Sequence, residues 1–260
     1  MEETSVKQCC ATFYGSDLAR MLLGDSFHPG GTKLTGRLGS LLNLAPASSV
    51  LDVASGRGTS AFQIAEVFGC NVTGIDLSEE NVRLATAEAR ERGLAEHVSF
   101  RLGDAERLPF DDNTFDAIIC ECAFCTFPSK QIAAQEFYRV LKPGGQVGLS
   151  DLTRKVENNP DLEGLLSWIA CIGDALPVER YVTIFEEAGF EIQSVQDHSD
   201  ALLEMVQQVQ GRLFGAEVMA GLKKINLPGL DFATAKQFAQ AALRAVRDGS
   251  LGYAAVLARK

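Results

Sequence analysis

Basic residues are the scarcer charge in this 260-residue chain: Lys and Arg number 24 against 34 Asp and Glu, a formal net charge of −10. A surface of that sign repels phosphate backbones, and no Lys/Arg run offsets it, so no nucleic-acid partner is expected. No stretch reaches the roughly 18 uninterrupted apolar residues of a membrane span, which excludes a membrane-embedded chain from the expectations. The opening MEETSVK carries acids where a secretory signal carries a basic region and then an apolar run, so a cytoplasmic location is expected. Internal repeats and low-complexity tracts are also absent, and the three histidines are scattered. The seven cysteines of a cytoplasmic chain are expected as free thiols. What remains, 46% hydrophobic and 22% charged residues, is the balance of a globular protein and excludes disorder, collagen and a coiled-coil rod. A chain of this length buries a full core without a disulfide or a metal.

The middle of the chain alternates strand and helix patterns. VLDVAS (50–55) is a short apolar run ending at Gly56, as a buried parallel strand should. A helix from Thr59 to Phe68 follows, then strand NVTGIDL, helix EENVRLATAEARERG, strand VSFRLGD, strand FDAIICEC, helix KQIAAQEFYRVLK and strand QVGLSDL. Beyond Asp151 the pattern predicts helices near Leu162–Asp174 and Val178–Ala188, strand FEIQSV, mostly helix over 200–248, and a closing strand GYAAVLARK. Residues 1–49 read as helical with a break at His28-Pro29-Gly30-Gly31, and His28 is expected in a solvated loop. Strands alternating with helices of about this length imply a doubly wound, Rossmann-like α/β fold with a seven-stranded sheet and right-handed crossovers. An N-terminal helical lid and a helical insertion before the last strand complete the expected architecture.

The chemistry-bearing residues fall at strand ends. Asp52-Val-Ala54-Ser55-Gly56-Arg-Gly58 sits where the first strand turns into its helix, where glycines admit a ligand and the helix N-terminus offers free N–H groups. Gly56-x-Gly58-x-x-Ala61 also fits a loose dinucleotide fingerprint, so a nicotinamide enzyme stays open on this motif alone. Asp52 is suited to accept from an ammonium group. Asp76, at the end of the second strand and just before Leu77, is placed to hold ribose hydroxyls, a role shared by nicotinamide and adenosyl cofactors. A carboxylate at Asp104, beside Ala105, can accept from an adenine amino group.

In this order and spacing, LDVASGRG, GIDLS, GDAERLPFDDNTFDAII and EFYRVLKPGG resemble the class I S-adenosylmethionine-dependent methyltransferases over roughly residues 48–195 and the last strand. The resemblance implies S-adenosylmethionine as cofactor, with Gly56 and Gly58 under its methionine portion and Tyr14, Asp52, Ala54, Ser55, Leu77 and Glu121 among the residues that bind it. It also implies Asp76 at the ribose, and Asp104 with the Ala105 N–H at the adenine. The domain layout follows: a lid over 1–49, a cofactor-binding core over 50–199, and an insertion with the final strand of the same domain over 200–260. A narrower likeness is to the arsenite methyltransferases. It rests on Cys9-Cys10, on Cys122 six residues before Pro128-Ser-Lys130, and on Trp168-Ile-Ala-Cys171-Ile-Gly-Asp-Ala-Leu176. By that likeness Cys122 and Cys171 bind trivalent arsenic, Cys10 of the early pair takes part, and Tyr14 before Gly15 closes over the cofactor. Glu121 stands where those enzymes carry Asn, next to the emerging methyl, where a general base or a cofactor contact can act.

These readings compete with plain packing, since cysteine is among the most often buried residue types. Cys70 and Cys120 are expected in the core. No resident metal is expected: a zinc at Cys120-x-Cys-x-x-Cys125 would need its first ligand inside a strand, and no histidine is nearer in sequence than His97. The sequence therefore points to a methyltransferase acting on a small soft nucleophile, an arsenite-like metalloid or a small thiol. The alternatives are methylation of a quinone-like ring over Phe124, Phe127 and Trp168, and a non-catalytic binder of S-adenosylmethionine or a metalloid.

Overall fold

A computed structural model of the chain describes residues 17–24, 26–155, 162–163, 167, 171–222 and 231–260. Its sheet grows outward from β1 (Ser49–Val53), whose Val50, Leu51 and Val53 are all buried. β2 (Asn71–Asp76) and β4 (Phe115–Glu121) flank β1 in parallel, β3 (Val98–Leu102) continues beyond β2, and β5 (Leu141–Arg154) beyond β4. β7 (Leu251–Arg259) runs antiparallel between β5 and β6 (Glu191–Asp197), giving the order β3-β2-β1-β4-β5-β7-β6. Period-2 alternation sends neighbouring side chains into two separate cores: Ile118 packs in one layer with Val53, Ile75 and Phe137, and Ile119 in the other with Val50, Ile64 and Val72. The expected seven-stranded α/β fold is the one observed.

Helices cover both faces. α1 (Asp17–Leu23) and α2 (Gly31–Leu41) precede β1, and α3 (Thr59–Phe68), α4 (Glu79–Glu91), α5 (Lys130–Val140) and α6 (Val178–Glu187) connect the strands. α7 (Ser199–Gly221) and α8 (Phe232–Arg247) fill the stretch between β6 and β7, as the periodicity predicts. Three of these boundaries have a clear local cause. α3 starts after Gly58 (φ 85°) and stops at Gly69 (φ 68°), conformations that a residue with a Cβ resists. α4 starts at Ser78, whose hydroxyl accepts the Asn81 N–H at 3.2 Å, with Glu79 and Glu80 in the first turn.

Three sequence expectations are corrected. Lys142-Pro-Gly-Gly145 does not precede the fifth strand but lies within it: between the pairs Phe115–Leu141 and Ala117–Gln146, β4 advances two residues and β5 five, so the Pro-Gly-Gly segment is absorbed as a bulge. Cys171 to Asp174 are not helical; Cys171 is left-handed (φ 60°), and the N–H groups of Ile172 and Gly173 both reach back to the Ser167 carbonyl, at 2.8 and 3.0 Å. Phe124 is fully buried in an aromatic cluster with Phe127, Phe137, Tyr181 and Phe185 rather than lining an open pocket.

Candidate active site

The strand order reverses between β1 and β4, because the chain winds from β1 outward to β3 and then returns to build the other side. In open α/β sheets the crevice beyond the strand C-termini at that point binds ligands. Here it is a pocket of about 160 Å3.

The loop after β1 forms its floor and is held in an unusual conformation. Ala54 (φ 57°), Gly56 (φ 54°) and Gly58 (φ 85°) are all left-handed. The two glycines differ in what they require. A Cβ on Gly58 would stand 2.5 Å from Phe100 Cζ, so that glycine serves packing. A Cβ on Gly56 would meet nothing nearer than Phe27 Cδ2 at 3.9 Å and would project into free space. Asp76 ties the loop down. One of its oxygens accepts the Gly56 N–H at 2.8 Å, and the other accepts the Ser78 N–H at 2.8 Å and Asn81 Nδ2 at 3.2 Å. Burial raises its pKa in spite of those bonds.

Two further carboxylates share the pocket wall. Asp52 is buried, its Oδ2 has no hydrogen-bond partner, and burial first, then the charges of Glu121 and Asp76, push its pKa well above the ordinary range. Glu121 Oε2 accepts from the Ser60 hydroxyl at 2.7 Å and the Thr35 hydroxyl at 2.9 Å, with His28 Nε2 at 3.7 Å. Its other oxygen, Oε1, is buried without a partner. Beyond β3, Asp104 accepts the Glu106 N–H at 3.0 Å, and Gly103, Asp104 and Ala105 line the far end.

A thiol cluster closes the other end. Cys122, just past β4, is left-handed (φ 54°) and donates its N–H to Ser150 O at 2.7 Å. Cys171 Sγ lies 3.6 Å from the Cys122 carbonyl oxygen. The hydrogen bond with the Cys171 thiol, together with burial, pushes Cys122 well above the usual thiol range. Cys125 lies deeper, in the 3-10 turn Phe124–Thr126, where burial and then the Cys171 thiol raise it likewise. Its N–H donates to Asp151 Oδ2 at 2.9 Å, and burial pushes Asp151 up to about 7. Among the described residues, no group of three His, Cys, Asp or Glu side chains is placed to hold a metal ion.

Of the residues singled out from sequence, Asp52, Ala54, Ser55, Gly56, Asp76 and Leu77 line the pocket, and so do Asp104, Ala105, Glu121, Cys122 and Cys171. Gly58 supports the loop from behind. Tyr14, Cys9 and Cys10 lie outside the described residues, and so does Trp168. Cys70 and Cys120 are buried in the two cores. His28 is not solvated: it is buried on the pocket wall beside Ser26 and Phe27. Sequence reasoning missed Thr35, Ser60 and Asn81, whose bonds to Glu121 and Asp76 join separate elements; only the chain break at His28–Gly31 marked that region.

The unpartnered Asp52 Oδ2 and the open face of Gly56 fit a ligand that carries a cation and runs across the glycine loop. That fold and that crevice define a class, and the match of residues 44–189 to the methyltransferase-domain model agrees: the chain belongs to the methyltransferase-domain family, whose members use S-adenosylmethionine as cofactor. It is 34% identical over 156 residues to an arsenite methyltransferase of Halobacterium salinarum, covering 57% of this chain and 38% of that one. It is 32% identical over 190 residues to phosphoethanolamine N-methyltransferase 3 of Arabidopsis thaliana, covering 72% and 38%. Among solved structures, Haemonchus contortus phosphoethanolamine N-methyltransferase 2, in complex with phosphomonomethylethanolamine and S-adenosylhomocysteine, superposes with a TM-score of 0.78 at 20% identity, over 100% of this chain and 57% of that one. The chain spans only 38% of the length of either of these two curated relatives. Among the described residues no helix is long and apolar enough to cross a membrane.

Proposed function

We propose that the chain binds S-adenosylmethionine in this pocket and methylates a small soft nucleophile, trivalent arsenic foremost and a small thiol second. The observation that carries the reading is a juxtaposition on one pocket: buried carboxylates with unpartnered oxygens at one end, and the Cys122–Cys171 thiol pair at the other. When bound, S-adenosylmethionine supplies an electrophilic methyl group on a sulfonium. Asp52 Oδ2 accepts from its ammonium, Asp76 holds the ribose while keeping the glycine loop in place, and Asp104 with the Ala105 N–H faces the adenine. The wall of Ser26, Phe27 and His28 excludes water, which matters because a charged acceptor must be stripped of its hydration shell before it reacts.

Cys122 and Cys171 supply two soft sulfur donors where the fourth strand ends, and a third is expected from Cys10. Serine cannot substitute, being harder and less polarisable. A soft acceptor is itself nucleophilic, so Glu121 is not needed as a base for it. The ring-methylating alternative loses Phe124 to the core, leaving Phe127 as the described aromatic at that end.

Cys122→Ser and Cys171→Ser are expected to keep S-adenosylhomocysteine affinity and thermal stability while losing turnover of arsenite. Full turnover by the double variant would remove the thiol pair from the site and leave the methyltransferase reading standing.

A further inference from the structure

We propose that Thr35 and Ser60 are positioning residues: they fix Glu121 so that its free oxygen Oε1, together with Asp52 Oδ2, receives the ammonium of the bound cofactor. The inference rests on the S-adenosylmethionine reading and adds to it the residues that make the ammonium subsite.

The argument starts from the bonding of one carboxylate. Ser60 and Thr35 each have a single hydroxyl proton, and the shortest contacts, 2.7 and 2.9 Å, commit both to Glu121 Oε2. The remaining contacts of Thr35 Oγ1 are longer: 3.4 Å to His28 Nε2, and 3.5 Å to both Ser60 Oγ and Gly31 O. With two donors on one oxygen, Glu121 cannot turn without breaking two charge-assisted hydrogen bonds. Oε1 is thereby held in place, buried and left without a donor. A knot serving only to pin α2 onto α3 would use both oxygens, because a buried carboxylate oxygen without a donor costs stability. Asp52 repeats the pattern: it is buried, its Oδ2 is unpartnered, and the Glu121 charge reaches it. Both groups line the same pocket. Two carboxyl groups facing one cavity with an oxygen each to spare are satisfied together by one cation carrying several N–H donors, which is the chemistry of a primary ammonium.

The positions of the clamp residues add a consequence. Thr35 belongs to α2, Ser60 to the first turn of α3, and Glu121 to the end of β4. Residues from three separate elements must be in register for Oε1 to be held in place.

The test compares two ligands by calorimetry. S-adenosylhomocysteine carries the ammonium; 5′-methylthioadenosine keeps adenine and ribose and lacks it. Thr35→Val and Ser60→Ala are expected to weaken S-adenosylhomocysteine by about tenfold, the scale of one charge-assisted hydrogen bond, and Glu121→Gln by at least as much. All three should leave methylthioadenosine within about twofold of wild type. Thr35→Ser should restore affinity, and Thr35→Val placed on Glu121→Gln should cost nothing further, since the group it orients is gone. Equal losses for both ligands, or no loss for either, would overturn the proposal and leave the cofactor reading intact. A wild-type protein that binds neither ligand would overturn both. Thermal melts on each variant separate a misfolded protein from a weakened subsite, and the Ser60→Ala arm stands if Glu121→Gln fails to fold.

Discussion

Asp151 lies fully inside the sheet, accepting two backbone N–H groups, from Cys125 at 2.9 Å and Leu152 at 2.7 Å. Burial holds its pKa near 7 against an ordinary 3.8. The folded protein therefore keeps this proton where the unfolded chain has lost it. The resulting stability is fully present below about 3.8 and is lost as the pH rises through 7, by about 4 kcal/mol at about 1.4 kcal/mol per unit. Asp151→Asn cannot ionise, so its urea midpoint should lack this decline, although losing one acceptor makes it less stable at pH 4; parallel wild-type and variant profiles would contradict the assignment. Asp76 makes a different prediction. Asp76→Ala removes the acceptor for Gly56 and two groups at the start of α4, so S-adenosylhomocysteine affinity should fall by about 1.5–3 kcal/mol per charge-assisted bond, with wild-type affinity by calorimetry as the contrary result. Asp76 was legible in the sequence because it ends an apolar run, and Asp52 because its strand leads straight into the glycine turn at Gly56 and Gly58. Asp151 was not, since a single acid inside QVGLSDL looks the same whether its side chain is buried or wet. The partners of Glu121 were hidden for another reason: they lie 86 and 61 residues away, beyond the reach of any local pattern.

At the scale of the element, the loop between β1 and α3 separates folding from binding. Gly58→Ala forces a Cβ against Phe100 at a left-handed position and should lower the melting temperature sharply, a loss of several kcal/mol in a fixed core. Gly56→Ala pays about 1–2 kcal/mol for its left-handed backbone but meets no neighbour. Its methyl group enters the pocket, so the larger effect should be on S-adenosylhomocysteine affinity. Equal behaviour of the two variants in melts and calorimetry would contradict the division. Most elements were legible: α3 runs from Thr59 to Phe68 as read, because glycines at both ends leave no choice, and the two late helices follow their apolar stripes. The bulge in β5 was not, since Pro and Gly ordinarily end a ladder and only pairing with β4 shows that the strand continues through them. Nor was the turn at Cys171, since cysteine is not a residue that marks a left-handed position in a sequence.

At the scale of the molecule, a seven-stranded sheet brings a glycine loop, four acids and two thiols from distant parts of the chain to one switch point. The net charge of −10 should keep the protein off duplex DNA at physiological ionic strength; retention with a steep salt slope would contradict that. Arsenite and phosphoethanolamine methyltransferases both resemble the chain, so fold and family leave the acceptor to the thiols. The central claim is methyl transfer to a soft nucleophile. Purified protein incubated with S-adenosylmethionine and, separately, arsenite, a small thiol and a phenol, with S-adenosylhomocysteine followed by mass spectrometry, tests it most directly. The account predicts S-adenosylhomocysteine with arsenite or the thiol and none above background with the phenol; formation with the phenol alone, or with no acceptor at all, would contradict it.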